Sequence, residues 1–191
     1  MKWLPDYNYI LASKSPRRQE LLHSLGVNFQ VLKSDVDETY PENLTKEEIP
    51  VFLAELKSKS LIKNLKENDL LITADTIVWL NGEVIGKPEN KEEAVRTLQK
   101  LSAHEHQVIS GVCLTSINKQ KSFFSISNVQ FKSLSLPEIE YYVSEYKPFD
   151  KAGGYGIQEW IGYIGITHIE GSFYNVMGLP VQQLYTEIQN F

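Results

Sequence analysis

At 191 residues, the chain is long enough for one domain with a sizeable hydrophobic core, or for two small lobes around a cleft. Hydrophobic residues make up 42% and charged residues 23%, a globular composition that excludes disordered and fibrous classes. The formal net charge of −5 argues against a partner that is a nucleic-acid polymer, but it leaves room for a local basic pocket that binds a small polyanion.

Cysteine usage and targeting signals point to an intracellular protein. Cys113 is the only cysteine, which excludes an internal disulfide and a thiolate-rich metal site. Asp6 lies near the N-terminus without an apolar stretch, so no signal peptide is expected, and Asp75 interrupts the longest apolar run well short of a membrane span. We therefore expect a soluble, cytoplasmic protein without a membrane partner.

The first part of the chain alternates strands and helices. Residues 9–12 are predicted to form a buried strand. A helix follows, with Ser15 as its N-cap, Pro16 as its first residue and Gly26 at its end. Alternating residues 27–31 predict a second strand, which leads into an acidic loop.

Thr45 and Glu48 have the spacing of a capping box and predict a longer helix. One face of this helix is predicted to carry Phe52, Leu53, Leu56 and Ser60, with Lys57 beside it.

Residues 70–80 form the most apolar run and predict a buried strand with Asp75 at its middle. A lone buried carboxylate needs a cation or a metal as its partner. From this strand alone, Asp75 either caps a turn at a strand end or is a catalytic or metal-binding carboxylate.

The second half predicts further hairpins and helices. Asn81-Gly82 is a two-residue hairpin signal that pairs residues 76–80 with residues 83–85. The remaining predicted elements are a helix capped by Asn90 and Glu93, strands at 108–115 and 123–131, a helix from Pro137 to near Ser144, a glycine-rich loop at 150–156, an extended segment at 157–169, and a helix from Pro180. The mixture predicts an α/β fold with a mixed sheet.

Residues 13–18, Ser-Lys-Ser-Pro-Arg-Arg, lie between a strand and a helix N-terminus. Such a place suits phosphate or carboxylate, although a solvated turn is the favoured alternative when this cluster is considered alone. Glu38 and Asp75 are candidate ligands of Mg²⁺ or Mn²⁺. His104 and His106 lack a zinc spacing, and His106 is expected to be structural.

Lys57 and Lys87 are candidate phosphate ligands, each with a surface lysine as the alternative. Pro88 restricts Lys87 to extended backbone, which strengthens the Gly86-Lys87-Pro88 motif. In residues 150–158, glycines allow close approach to a ligand, and the Gln158 amide offers a donor and an acceptor for a base edge. Together these clusters suggest a nucleotide phosphohydrolase.

In this order, the clusters resemble the Maf family of nucleoside triphosphate pyrophosphatases. The matching motifs cover nearly the whole chain, at residues 11–18, 34–39, 53–57, 74–78, 86–88, 150–158 and 169–180. The resemblance implies one Maf-like domain over residues 1–191, with an elongated two-lobed α/β fold around a central cleft, similar to inosine triphosphate pyrophosphatases. It also implies hydrolysis between the α- and β-phosphates with a divalent metal, Mg²⁺ or Mn²⁺.

The resemblance also implies roles for individual residues. Asp75 matches the proton acceptor of the family and could also contact the metal, which Glu38 would assist. Phosphate binding is implied for Ser13, Arg18, Lys57 and Lys87.

The resemblance further implies that substrate choice depends on three positions, which here are Arg17, Thr76 and Gln158. They resemble the branch that acts on dTTP and UTP, with modified pyrimidine nucleotides as further candidate substrates, rather than the branch that acts on 7-methyl-GTP. One departure is Ala103, which stands where the family usually has glycine; we expect it to affect a turn and not the chemistry. The alternative function is a nucleotide-binding regulator of septum formation without turnover, and a homodimer is a candidate assembly by resemblance.

Overall fold

The computed structural model describes residues 3–191, which divide into two compact units. The first unit takes the chain up to Thr76, together with Ser110–Ser125 and Gly178–Phe191. The second unit comprises Ile77–Ile109 and Ile126–Met177. The chain therefore passes from one unit to the other at four points.

The described residues form a seven-stranded sheet with the order β2-β1-β3-β5-β6-β7, and β4 pairs with β3. The strands are β1 (Asn8–Ala12), β2 (Phe29–Leu32), β3 (Asp69–Leu80), β4 (Glu83–Ile85), β5 (Glu105–Thr115), β6 (Gln120–Phe131) and β7 (Ile166–Glu170). β1 runs parallel to β2 and β3, whereas β4 and β7 run antiparallel to β3 and β6. The predicted α/β class with a mixed sheet is confirmed.

The helices within residues 3–191 are α1 (Pro16–Ser24), α2 (Glu48–Leu61), α3 (Lys91–Leu101), α4 (Leu136–Tyr146), α5 (Trp160–Gly165), α6 (Phe173–Met177) and α7 (Val181–Gln189). In this described part of the chain, no helix combines the length and the apolar character that a membrane crossing requires.

Most helix and turn signals are confirmed. The Ser15 hydroxyl accepts a hydrogen bond from the Arg18 amide, and Gly26 has a positive φ of 72° just after α1. The Asn90 side chain caps α3 by accepting from the Glu93 amide at 2.9 Å. Asn81 and Gly82 both have positive φ in the turn that joins β3 to β4.

The Thr45–Glu48 contact predicted at the start of α2 is confirmed, but the face predicted for this helix was wrong. The Thr45 amide and hydroxyl both donate to Glu48 Oε2, and the Ile49 amide donates to the Thr45 carbonyl at 3.2 Å, so the chain enters at Thr45 the helix whose regular part begins at Glu48. Its buried residues are Ile49, Pro50, Leu53, Ala54, Lys57, Ser58 and Leu61. A Cβ on Gly111 would lie 2.3 Å from the Pro50 carbonyl carbon, so this glycine lets α2 approach β5 closely. Lys57 consequently lies on the buried face and not beside it.

The extended segment predicted for residues 157–169 is confirmed at residues 166–169, but it was wrong at residues 160–165. Residues Trp160–Gly165 form α5, and β7 begins only at Ile166. A short apolar run does not distinguish a strand from a buried helix by its periodicity. The short helix α6 was not predicted.

Ala103 lies in a turn, as expected from its departure from the family pattern. Its φ is 62°, in the left-handed region that favours glycine. Its amide donates to the Lys132 carbonyl at 3.0 Å, which holds the turn in place within the second unit. Alanine is therefore strained at a position that suits glycine.

Candidate active site

The alternation of side chains along β3 directs Asp75 towards α2. Thr73 and Asp75 lie on one face of the strand because successive side chains point to opposite faces. The Thr73 hydroxyl donates to the Ala54 carbonyl at 2.7 Å. Lys57 follows Ala54 by three residues on the same helix face and donates to Asp75 Oδ1 at 2.5 Å.

Lys57 connects two carboxylates. Its Nζ lies 2.5 Å from Asp75 Oδ1 and 2.8 Å from Glu38 Oε1. The side chains of Lys57 and Asp75 are only 10% and 11% exposed, whereas Glu38 is 44% exposed. Asp75 lies inside a continuous strand, so the alternative that it caps a turn at a strand end was wrong. The cation that a buried carboxylate requires is Lys57.

Arg18 lies on the other side of the same strand segment. It donates from Nη1 to the Ala74 carbonyl at 2.7 Å, from Nη2 to Thr76 Oγ1 at 2.9 Å, and from Nε to the Gly178 carbonyl at 2.8 Å. Burial lowers the pKa of Arg18 from its ordinary value, and the charge of Asp75 opposes that shift. Three nitrogen atoms of Arg18 thus already donate to the protein. Phosphate binding by Arg18 stays a prediction.

The loop at residues 13–15 follows the carboxyl end of β1. The pairing of Ala12 with Thr73 places this loop beside the part of β3 that carries Asp75. Ser13 is buried, and its hydroxyl accepts from the Ser15 amide at 3.2 Å. The carboxyl ends of parallel strands and the N-terminus of the following helix are common binding places for phosphate.

In the second unit, the structure brings two predicted motifs together. The Gly153 amide donates to the Gly86 carbonyl at 3.0 Å, and a Cβ on Gly154 would contact the Pro88 ring at 3.4 Å. Gly153 has a φ of 71°, and a Cβ there would lie 2.9 Å from Val78 Cγ2. These glycines let the loop lie against the Gly86-Lys87-Pro88 segment, in which Lys87 is exposed.

Gln158 carries a buried acceptor. Within residues 3–191, its Oε1 is buried and has no hydrogen-bond partner. Glu159, the next residue, is held by the Tyr142 hydroxyl and by Lys151 Nζ, the latter at 3.2 Å. A buried acceptor without a partner is costly, so an unpaired oxygen on a braced loop indicates a place for a ligand donor.

The first unit thus holds most of the predicted site residues, namely Ser13, Arg17, Arg18, Glu38, Lys57, Asp75 and Thr76. Lys87 and Gln158 belong to the second unit. The structural role expected for His106 is confirmed, since its ring stacks on Phe131 and its Nε2 lies 2.7 Å from the Tyr155 hydroxyl.

Two contributors to the site were missed. Ser110 and Gly178 both contact Thr76, as its hydroxyl lies 2.8 Å from Ser110 Oγ and 3.3 Å from the Gly178 carbonyl. The sequence signal for Gly178 was its place in a motif that resembles the family, at residues 169–180. The only signal for Ser110 was that it is a polar residue within an apolar strand.

Comparison with known proteins shows the family of the chain. The dTTP/UTP pyrophosphatase of Phocaeicola vulgatus is 54% identical over 187 residues, which cover 97% of each chain. The dTTP/UTP pyrophosphatase of Parabacteroides distasonis is 53% identical over 189 residues, 98% of each chain. The structure of a HAM1 protein from Coxiella burnetii has a TM-score of 0.53 at 15% identity, covering 97% of this chain and 100% of that chain, and shows a shared fold. The model of the family described as "Maf-like protein" matches residues 8–191, and the chain belongs to that family.

Proposed function

We propose that this protein is a nucleoside triphosphate pyrophosphatase that hydrolyses dTTP and UTP to the monophosphate and pyrophosphate. The observation that carries the proposal is the buried carboxylate of Asp75, which Lys57 holds beside the loop between β1 and α1. The names of the similar enzymes support the same substrates. Modified pyrimidine nucleotides are included as further candidates.

In the proposed reaction, Asp75 is the proton acceptor. Lys57 fixes Asp75 Oδ1, and we assign the attacking water to Asp75 Oδ2. The water oxygen bonds to the α-phosphorus while its proton passes to Asp75. The bond from the α-phosphorus to the bridging oxygen breaks, and pyrophosphate leaves with the electron pair.

Positive charge and backbone donors would hold the triphosphate. We assign this task to Lys57, Lys87 and the Ser13 loop at the N-terminus of α1. Cations placed in advance stabilise the charge that develops on the phosphates without reorganisation during the reaction.

The residues present fit a divalent cation that is held mainly by substrate. Asp75 and Glu38 both contact Lys57 Nζ, so their oxygens converge on one region. In the described residues, no group of three or more His, Cys, Asp or Glu side chains could hold a metal by itself. Mg²⁺ commonly takes one or two carboxylates and completes its shell with phosphate oxygens and water. When bound, Mg²⁺ or Mn²⁺ would neutralise charge on the phosphates, with Asp75 and Glu38 as its protein ligands.

We assign recognition of the nucleotide base to Gln158. Arg17 and Thr76 are the other two positions whose residue type varies with the substrate in the family. Uracil and thymine present a donor, N3–H, between two carbonyl acceptors. The buried Oε1 of Gln158 could accept from that N3–H, and its amide nitrogen could donate to a neighbouring carbonyl. Cytosine presents an acceptor at N3, so it would leave Gln158 Oε1 unpaired.

The alternative of a regulator that binds nucleotide without turnover is not favoured by the comparisons, because the similar proteins carry the name of an enzyme. A homodimer stays a prediction from the family resemblance.

A nucleotide panel tests the proposed function. The purified protein is incubated with dTTP, UTP, CTP, GTP and 7-methyl-GTP in the presence of Mg²⁺ or Mn²⁺, and products are separated by chromatography. We expect monophosphate and pyrophosphate from dTTP and UTP, and little from the others. Release of inorganic phosphate and diphosphate would contradict the site of cleavage, and faster turnover of 7-methyl-GTP would contradict the choice of base.

The same panel tests the base contact through Gln158→Leu. We expect the preference for UTP over CTP to fall by about 10- to 100-fold, the range set by one unpaired buried polar group. Gln130→Leu, another glutamine of the second unit whose amide donates to the Phe131 carbonyl, is the matched control. An unchanged preference in Gln158→Leu would exclude this contact.

A further inference from the structure

Two of the three hydrogen bonds of Arg18 are to the residues on either side of Asp75 in the sequence. Nη1 bonds the carbonyl of Ala74, the residue before Asp75, and Nη2 bonds the hydroxyl of Thr76, the residue after it. A guanidinium is planar and rigid, so one side chain fixes both neighbours in a single geometry. The carboxylate between them is thereby held from the side opposite to Lys57.

Thr76 extends this set of bonds to two other segments. Its hydroxyl oxygen lies 2.8 Å from Ser110 Oγ, and Ser110 is fully buried. The Gly178 carbonyl accepts from Arg18 Nε at 2.8 Å and lies 3.3 Å from Thr76 Oγ1. Thr76, Ser110 and Gly178 are also the residues of the first unit at three of the points where the chain enters or leaves that unit.

The backbone conformation at residue 178 favours glycine. Its φ of 115° is a conformation that residues with a side chain rarely adopt. The space around it is not the constraint, because a Cβ would stand at an ordinary contact distance of 3.6 Å from both Arg18 Nε and Thr76 Oγ1. Glycine therefore lets this carbonyl reach the guanidinium.

We propose that Arg18 is a positioning residue that fixes Asp75 and Thr76 through the Ala74 carbonyl and the Thr76 hydroxyl, with Ser110 and Gly178 completing the arrangement. Arg18 is then not a ligand of substrate phosphate. Its Nε, Nη1 and Nη2 each donate to the protein, which leaves two of its five N–H groups outside these bonds. The effect on turnover rests on the proposed hydrolytic function.

The test separates turnover from phosphate binding. Arg18→Lys and Arg18→Ala are compared with Lys121→Ala, which removes a cation of the first unit that lies on β6 and pairs with Glu187. We expect kcat to fall by about 100-fold in the Arg18 variants, the effect of a displacement near 1 Å at a reacting group. Calorimetry should give a pyrophosphate Kd that stays within about threefold of wild type, since no phosphate ligand is lost. Lys121→Ala should keep both values.

A second readout does not depend on turnover. Loss of the Arg18 bonds leaves the Ala74 carbonyl and Thr76 hydroxyl less restrained, so amides of residues 74–76 should exchange hydrogen faster, while those of β1 stay protected. If an Arg18 variant does not fold, two other variants weaken the same set of hydrogen bonds. Ser110→Ala removes the partner of the Thr76 hydroxyl, and Thr76→Val removes that hydroxyl itself. Both variants should lower kcat and speed amide exchange at residues 74–76, each by less than the Arg18 variants do.

Each result decides the proposal. A pyrophosphate Kd raised about tenfold or more in the Arg18 variants makes Arg18 a phosphate ligand and overturns the positioning role. Unchanged kcat, or unchanged exchange at residues 74–76, overturns it as well. If wild-type protein hydrolyses no nucleotide, the proposed function fails, but the exchange measurement still decides whether Arg18 positions this strand segment.

Discussion

Among the described residues, each unit contains a buried lysine that contacts two carboxylates, and we assign different roles to these two lysines. In the first unit, Lys57 contacts Asp75 and Glu38. In the second unit, Lys151 contacts Asp150 at 2.7 Å and Glu159 at 3.2 Å. The side chains of both lysines are about one tenth exposed, at 10% and 9%.

The difference lies in the carboxylate partners. Glu159 also accepts from the Tyr142 hydroxyl, which in turn accepts from the Gly156 amide at 3.0 Å, so this carboxylate ties a loop to α4. The pKa of Tyr142 is raised by burial and by Glu159, which keeps its hydroxyl protonated as a donor. Asp75 lies on the central part of a strand beside a helix N-terminus. We therefore interpret Lys151 as a brace and Lys57 as part of the reacting site.

The largest effect on stability is expected for Lys57→Met. It leaves Asp75 buried without its cation, which should lower the free energy of unfolding by about 3–5 kcal/mol. Denaturant unfolding of Lys57→Met and of the double variant with Asp75→Asn measures this effect, and the double variant should recover most of the loss.

Lys151→Met sharpens the comparison. It should lower stability but keep turnover within about tenfold, since its cation braces a loop and does not touch the reacting phosphate. Lys57→Met should lose most of its turnover because Lys57 holds Asp75, and an equal loss in Lys151→Met would remove the distinction between the two lysines.

The second unit should also respond to acid through His106. Burial lowers the pKa of His106 to about 4, and its neighbours Tyr155 and Phe131 are neutral. The unfolded state, with a pKa near 6.5, binds more protons between about pH 6.5 and pH 4, so stability is present above this window and falls as pH falls through it.

We expect His106 to contribute a loss on the order of 3 kcal/mol across that window. Unfolding curves of wild type and His106→Gln at several pH values measure it, since the variant should lack this part of the slope. Parallel curves for the two proteins would show that His106 does not titrate as described.

The smallest effect is a gain in stability. Ala103→Gly relieves the left-handed conformation of Ala103, and this relief exceeds the added freedom of the unfolded chain, so we expect a gain of about 0.5 kcal/mol. Gly153→Ala is the matched opposite, because its Cβ would lie 2.9 Å from Val78 Cγ2 at a positive φ, and it should destabilise. A loss of stability in Ala103→Gly would contradict the strain at this turn.

The sequence predicted elements whose signals are local. Caps such as Ser15 and Asn90 and the Asn81-Gly82 turn depend on a few adjacent residues, and they were confirmed. The face of α2 was missed because it depends on Gly111, which is distant in sequence and admits the helix at Pro50. The helix α5 was missed because a short apolar run has no distinctive period.

The same limit applies to the site. The sequence marked Asp75, Lys57 and Arg18 as residues that could carry chemistry, and the structure shows which groups they contact. That Lys57 pairs with Asp75 follows from tertiary packing of α2 on β3, which no spacing in the sequence encodes. Ser110 was missed because its only signal, a polar residue within an apolar strand, lies outside any motif.

The central claim is that Asp75 is the proton acceptor, and a pair of carboxylates on one strand tests it most directly. Asp69 and Asp75 are both buried on β3, but Asp69 accepts from the Asn8 amide nitrogen and the Lys66 backbone at the far end of the strand. Pyrophosphate release from dTTP and UTP is measured for Asp75→Asn and Asp69→Asn, with folding checked by circular dichroism. We expect kcat to fall by about 100- to 10,000-fold in Asp75→Asn and to be kept in Asp69→Asn. Full activity in a folded Asp75→Asn protein would contradict the assignment.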